Sequence, residues 1–139
     1  MMADYIKEFF QRFGVTPKVQ EVPLHPLPTA IQRLSIPVDR QNSYKTAADY
    51  LLNLHEQDFD DLHYVLGIIS NHCFFGKAVI RVGGKYYDPT DTEENCCLSK
   101  DRFVSIYEMP IDDLKEFIVE NDNELPSLID LRVVDMLNQ

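Results

Sequence analysis

Ala78-Val79-Ile80-Arg81-Val82-Gly83-Gly84-Lys85-Tyr86-Tyr87-Asp88 is the stretch that decides how this chain is read. Its first five residues are rich in β-branched side chains, which suit a pleated, half-buried strand. Gly83-Gly84 then supplies the two positive φ angles that a tight type I′ hairpin turn demands. Lys85 to Asp88 runs back, and Pro89 ends the return strand because it has no N–H for a ladder. The result is a β-hairpin over residues 77–88. With the glycines as the loop, Val82 opposes Lys85, Ile80 opposes Tyr87 and Val79 opposes Asp88. Alternation therefore places Lys77, Val79, Arg81, Tyr86 and Asp88 on one face. Tyr86 and Tyr87, as strand neighbours, divide between surface and core.

Working outward, Asn42 or Ser43 caps a helix whose Tyr44, Ala47, Ala48, Leu51 and Leu52 share a face. Phe59, Leu62, Leu66 and Ile69 recur at helical spacing and predict a second helix from about Asp58, with Asp58, Asp60 and Asp61 in its first turn. His55 and His63 then fall at the edges of buried helical stripes. Phe103 to Tyr107 predicts a third strand. Pro110 opens a helix that turns Ile111, Leu114 and Ile118 inward, with Asp112 and Asp113 in its first turn, and Pro126 opens another before Ile129, Val133 and Met136. At the other end, Ile6, Phe9, Phe10 and Phe13 predict a helix stopped by Gly14. Five prolines punctuate residues 15–40 and predict an extended, surface-hugging segment, broken by a short turn of helix around Ala30–Leu34. The expected fold is α+β, one domain over 1–139, with helices packed on a small antiparallel sheet of about three strands.

The chain has 139 residues and a formal net charge of −10, with 45% hydrophobic and 26% charged residues. That composition fits a core-forming domain and excludes wholesale disorder. The charge is uneven: residues 41–139 carry all of the negative excess. Lys and Arg are not clustered, so direct nucleic-acid binding is not expected. An acidic surface instead suits a protein partner with a basic one. No apolar run reaches membrane-spanning length, and the start lacks the pattern of a signal peptide, so the expected compartment is the cytoplasm. Cys73, Cys96 and Cys97 are then reduced thiols; they lack the paired spacing of a zinc site, and no cofactor is implied. Asp88, Asp91, Glu93 and Glu94 form an acidic loop without the calcium-loop spacing.

Residues Gly76 to Thr90, ending Tyr87-Asp88-Pro89-Thr90, resemble the His–Asp hairpin of the papain-like and transglutaminase-like cysteine hydrolases. The likeness covers about a tenth of the chain and extends loosely to the helix beginning at Asn42-Ser43-Tyr44. It implies a nucleophile at that helix start, a histidine opening the first strand and Asp88 on the second. This sequence departs from that pattern twice. Ser43 stands where the family has cysteine, and Lys77 stands where it has histidine.

A serine hydroxyl needs an adjacent base, and a lysine serves as one only when its environment favours the neutral amine. Asp88 beside Lys77 favours the ammonium, so an ordinary cross-strand ion pair is the expectation. His72 lies beyond Gly76 with the wrong strand parity. Cys73, next to His72 and just before the strand, is not at a helix N-terminus, where thiols become reactive. Ser43, His72, Cys73, Lys77 and Asp88 are therefore the candidate catalytic residues if the chain is a hydrolase or acyltransferase. The leading expectation is a non-catalytic acidic binding protein of the inhibitor, immunity or host-interaction type on a degenerate scaffold of this kind. A structural or assembly subunit, self-associating through the proline-rich segment, is the remaining alternative.

Overall fold

The computed structural model describes residues 8, 11–12, 19–39, 41–71, 73–90 and 102–127, with the backbone alone for 70, 71, 73–75 and 102. The helices expected around Ile6–Phe13 and after Pro126, and the acidic loop after Thr90, lie largely or wholly outside the described residues.

The hairpin forms in the expected register. Strand β4 (Cys73–Val82) turns through Gly83 and Gly84, at φ +58° and +82°, into β5 (Lys85–Tyr87), pairing Val82 with Lys85 and Ile80 with Tyr87. Gly83 donates its N–H to the Asp60 carbonyl (2.9 Å) and Gly84 to Asp61 Oδ2 (2.8 Å), which fastens the turn to the preceding loop.

The helix expected from Asp58 is not there. His63–Asn71 is a nine-residue strand, β3, antiparallel to β4 along its whole length. Val65, Ile68 and Ile69 favour a strand, and both faces of it are covered. Tyr64 and Leu66 enter one apolar cluster while Val65 and Ile69 enter another, so a two-sided strand mimics helical spacing. Asp58, Asp60 and Asp61 lie in the loop before it, where Asp61 adopts φ 56°. His55 is exposed just past the end of the helix Ser43–Asn53 and His63 opens β3, so neither lies on a helical stripe.

The small three-stranded sheet is thereby corrected to a six-stranded mixed one. β6 (Arg102–Pro110) pairs with the other side of β3, and within residues 15–40 lie two short strands, β1 (Gln20–Val22) and β2 (Leu24–His25). The order is β1-β6-β3-β4-β5-β2, and only β2 and β5 run parallel. β1 and β2 stand at opposite edges yet are separated in the chain by Pro23 alone. Residues two apart cannot lie more than ~7 Å from each other, so the edges approach and the sheet curls on itself. Pro23 has no N–H, which suits the point where one ladder stops and another begins.

Three helices accompany the sheet among the described residues: α1 (Thr29–Gln32), α2 (Ser43–Asn53) and α3 (Ile111–Glu120). The last two match the expected capping signals, with Asn42 accepting from the Lys45 N–H (3.1 Å) and Pro110 preceding α3. Ile31, Ala47, Leu51, Leu114 and Phe117 pack with Tyr64, Leu66, Ala78, Ile80, Val104 and Met109 as the main core. The other face, inside the curl, holds Val22, Val65, Ile69, Val79 and Phe103. Gly67 lies between Val65 and Ile69 on this face, and a Cβ there would overlap the Phe103 ring and the Val104 carbonyl oxygen.

Candidate functional site

Ser43 meets β4 at the backbone of Ala78, the residue after Lys77, whose own side chain pairs with Asp88. β5 ends at Tyr87, so Ala78 has no partner residue on that strand. Its N–H is taken instead by Ser43 Oγ (3.2 Å) at the first turn of α2. The cap of that helix is Asn42, so Ser43 is not the N-cap but a link between helix and sheet.

Lys77 Nζ lies 2.5 Å from Asp88 Oδ2, with the side chains 15% and 1% exposed. The other oxygen, Oδ1, accepts from the Thr90 N–H (3.0 Å) and the Thr90 hydroxyl (2.6 Å). The Asp-Pro-Thr run thus folds back on its own carboxylate, an arrangement in which a buried charge is both paired and hydrogen-bonded. An ammonium engaged with a carboxylate offers no lone pair to a serine hydroxyl, so the geometry gives Ser43 no base in Lys77. His72 lies outside the described residues. Cys73 opens β4, and only its backbone is described. The described residues therefore hold an ion pair and, separately, a serine bound to the strand backbone, not a complete nucleophile–base–orienter set.

A second polar group lies on the same face and was not expected from the sequence. Between Leu66↔Tyr107 and Gly67↔Ser105 the β3–β6 register shifts by one residue. This bulge keeps Ile106 and Tyr107 with the main core and turns Ser105 and Glu108, three residues apart, into the curl. Glu108 there accepts from Arg81 Nη1 (2.8 Å), from the Tyr86 hydroxyl (2.9 Å to each oxygen) and from Ser105 Oγ (3.0 Å). Arg81 also donates through Nε to Asp61 (2.7 Å) and lies over the Tyr86 ring at 5.9 Å. His63 Nδ1 is 3.5 Å from Asp61 Oδ1. Burial, then the hydrogen bond to Glu108, pushes the Tyr86 phenol up to about 12. Arg81 is held further into its charged form, first by Glu108, against the opposing effect of burial. No residue type in Phe103–Pro110 announces the bulge, so strict alternation assigns Glu108 to the wrong face.

Beside this network a groove of about 530 Å³ opens between Val19–Gln20 and Ser105–Glu108. Burial, then the charge of Asp113, raises the Tyr107 phenol above its ordinary range.

Carboxylates also gather at one end of the sheet. His63 pairs with Pro110, and the Ile111 N–H binds the Leu62 carbonyl (3.0 Å), so the loop before β3 and the first turn of α3 adjoin. Lys115 reaches Glu56 across them (3.3 Å). Asp58, Asp60, Asp112, Asp113 and Glu116 are exposed there.

Among the described residues no helix is long and apolar enough to cross a membrane, and no group of three or more His, Cys, Asp or Glu could hold a metal ion. No protein-family model, curated protein or solved structure matches the chain.

Proposed function

We propose that the chain is a non-catalytic acidic binding protein, of the inhibitor, immunity or host-interaction type, whose partner is a protein with a basic surface. The observation that carries the non-catalytic half is the ion pair of Lys77 with the buried Asp88. It engages the residue that stands where the papain-like and transglutaminase-like hydrolases have their histidine. The scaffold is a degenerate one of that kind, supported by the start of α2 lying against the strand that carries Lys77. The binding half is supported by the exposed carboxylates of the loop before β3 and the first turns of α3, which together form one strongly negative end. Such a field speeds encounter with a basic partner and opposes nucleic acid.

The test is capture from native lysate with the full chain, and with a variant carrying Asp58→Asn, Asp112→Asn and Glu116→Gln. The expected result is a basic protein retained by the native chain, released by salt and lost from the variant. Recovery of no partner, or of one indifferent to salt, overturns the proposal.

A serine or cysteine hydrolase is the second reading, favoured by the Ser43 hydroxyl at 3.2 Å from the Ala78 N–H, on the strand of the Lys77–Asp88 pair. A fluorophosphonate label lost on Ser43→Ala, or an activity-based thiol label lost on Cys73→Ala, would establish it.

A further inference from the structure

The groove beside β6 has two chemically different walls, and the bulge creates them. The β1–β6 ladder ends at Gln20↔Ser105, and from Ile106 onward β6 has no second strand beside it among the described residues. Past that point Ile106 and Tyr107 bound the groove on the side of the main core. Ser105 and Glu108 bound it on the side of the curl. The cluster behind Glu108 is not neutral: the carboxylates of Asp61 and Glu108 face the single guanidinium of Arg81. His63, the other group facing Asp61, adds positive charge only when protonated. Asp113 acts on the aromatic wall at Tyr107. The groove is therefore apolar and aromatic on one side and negative on the other. Its volume falls within the range of sites that enclose a ligand or a short stretch of chain.

An added β-strand presents successive side chains to opposite faces. A segment continuing the sheet along β6 would therefore send every second side chain toward Glu108 and the others toward Ile106 and Tyr107. We propose that this groove seats an extended segment of the basic partner, laid along the β6 edge, with cationic side chains toward Glu108 alternating with apolar ones toward Tyr107. Backbone hydrogen bonds to the edge give such a contact its affinity, and the alternation gives it selectivity. This deepens the reading of the chain as a docking protein for a basic partner and rests on it.

The test uses the full-length, isotope-labelled chain titrated with acetyl-Val-Arg-Val-Arg-Val-amide and, separately, with its glutamate counterpart. The arginine peptide is expected to shift and protect the amides of Ile106 to Met109. Glu108→Gln, which removes the charge and keeps an acceptor for Tyr86 and Ser105, is expected to weaken binding about ten-fold. Gln20→Trp, at an exposed position on the groove rim, is expected to block binding while the spectrum of the rest of the sheet stays unchanged. Equal binding of the glutamate peptide, or no change at β6 at about 1 mM arginine peptide, overturns the proposal. Shifts confined to the loop before β3 and to α3 also overturn it, and leave the acidic-end reading standing. Seating of the peptide with no partner captured from lysate supports the groove and defeats that broader reading instead.

Discussion

The Lys77 ammonium and the Asp88 carboxylate meet at 2.5 Å across the hairpin, with the carboxylate almost wholly shielded from water. A pair in this setting is worth less to stability than its loss would suggest, because each partner mainly offsets the burial of the other. Lys77→Met is accordingly expected to destabilise the fold by about 3–5 kcal/mol, since it strands a buried charge. Adding Asp88→Asn to that variant should restore a large part of the loss. Chemical denaturation of the four-member cycle reads the coupling directly, and additive effects would refute a specific pair.

The same pair tests the scaffold. If α2 and the hairpin retain the geometry of a cysteine hydrolase, the double variant Ser43→Cys with Lys77→His places thiol and imidazole within reach. Alkylation of the introduced thiol by iodoacetamide is then expected to run about ten-fold faster than in Ser43→Cys alone, with a pH profile shifted downward. Equal rates would count against the resemblance.

Gly67 sets the packing of the inner cluster. A methyl group there meets the Phe103 ring and the Val104 carbonyl, and the latter is backbone that cannot swing aside. Gly67→Ala is expected to cost about 1–3 kcal/mol or more, seen as a lower thermal midpoint. Gly67→Ala combined with Phe103→Leu should relieve only the side-chain part of the clash.

Tyr86 gives a pH signature. Its phenol is pushed up to about 12 in the folded chain, from an ordinary value near 10. The folded state therefore holds that proton more tightly than the unfolded state does. The associated stability is complete below pH 10 and is lost as pH rises through 12. Burial holds other phenols up as well, Tyr64 most of all, so ultraviolet titration should show several late tyrosines, one fewer in Tyr86→Phe, and the alkaline fall in stability should shrink with it.

What could be read from the sequence follows the range of the interactions involved. The hairpin register was legible because Gly83-Gly84 fixes it locally, and with the register came the Lys77–Asp88 pair. Asn42 and Pro110 announced α2 and α3 for the same reason. β3 was not legible, since covering both faces of a strand erases its alternation and leaves a spacing that suits a helix equally well. The strands around Pro23 carry no local signal, because three- and two-residue strands owe their existence to distant partners, β6 and β5. The Glu108 network was hidden by a bulge that reverses the parity of everything after it.

Pro23 carries a mechanical consequence. One short run of backbone pairs with part of both borders of the sheet, so the release of one is linked through Pro23 to the release of the other. Releasing Gln20–His25 would bare the flanks of β6 and β5 together, turning a shielded curl into an open ribbon with two sides able to recruit foreign strands. Amide exchange at those two flanks is thereby coupled, as if one latch held two doors.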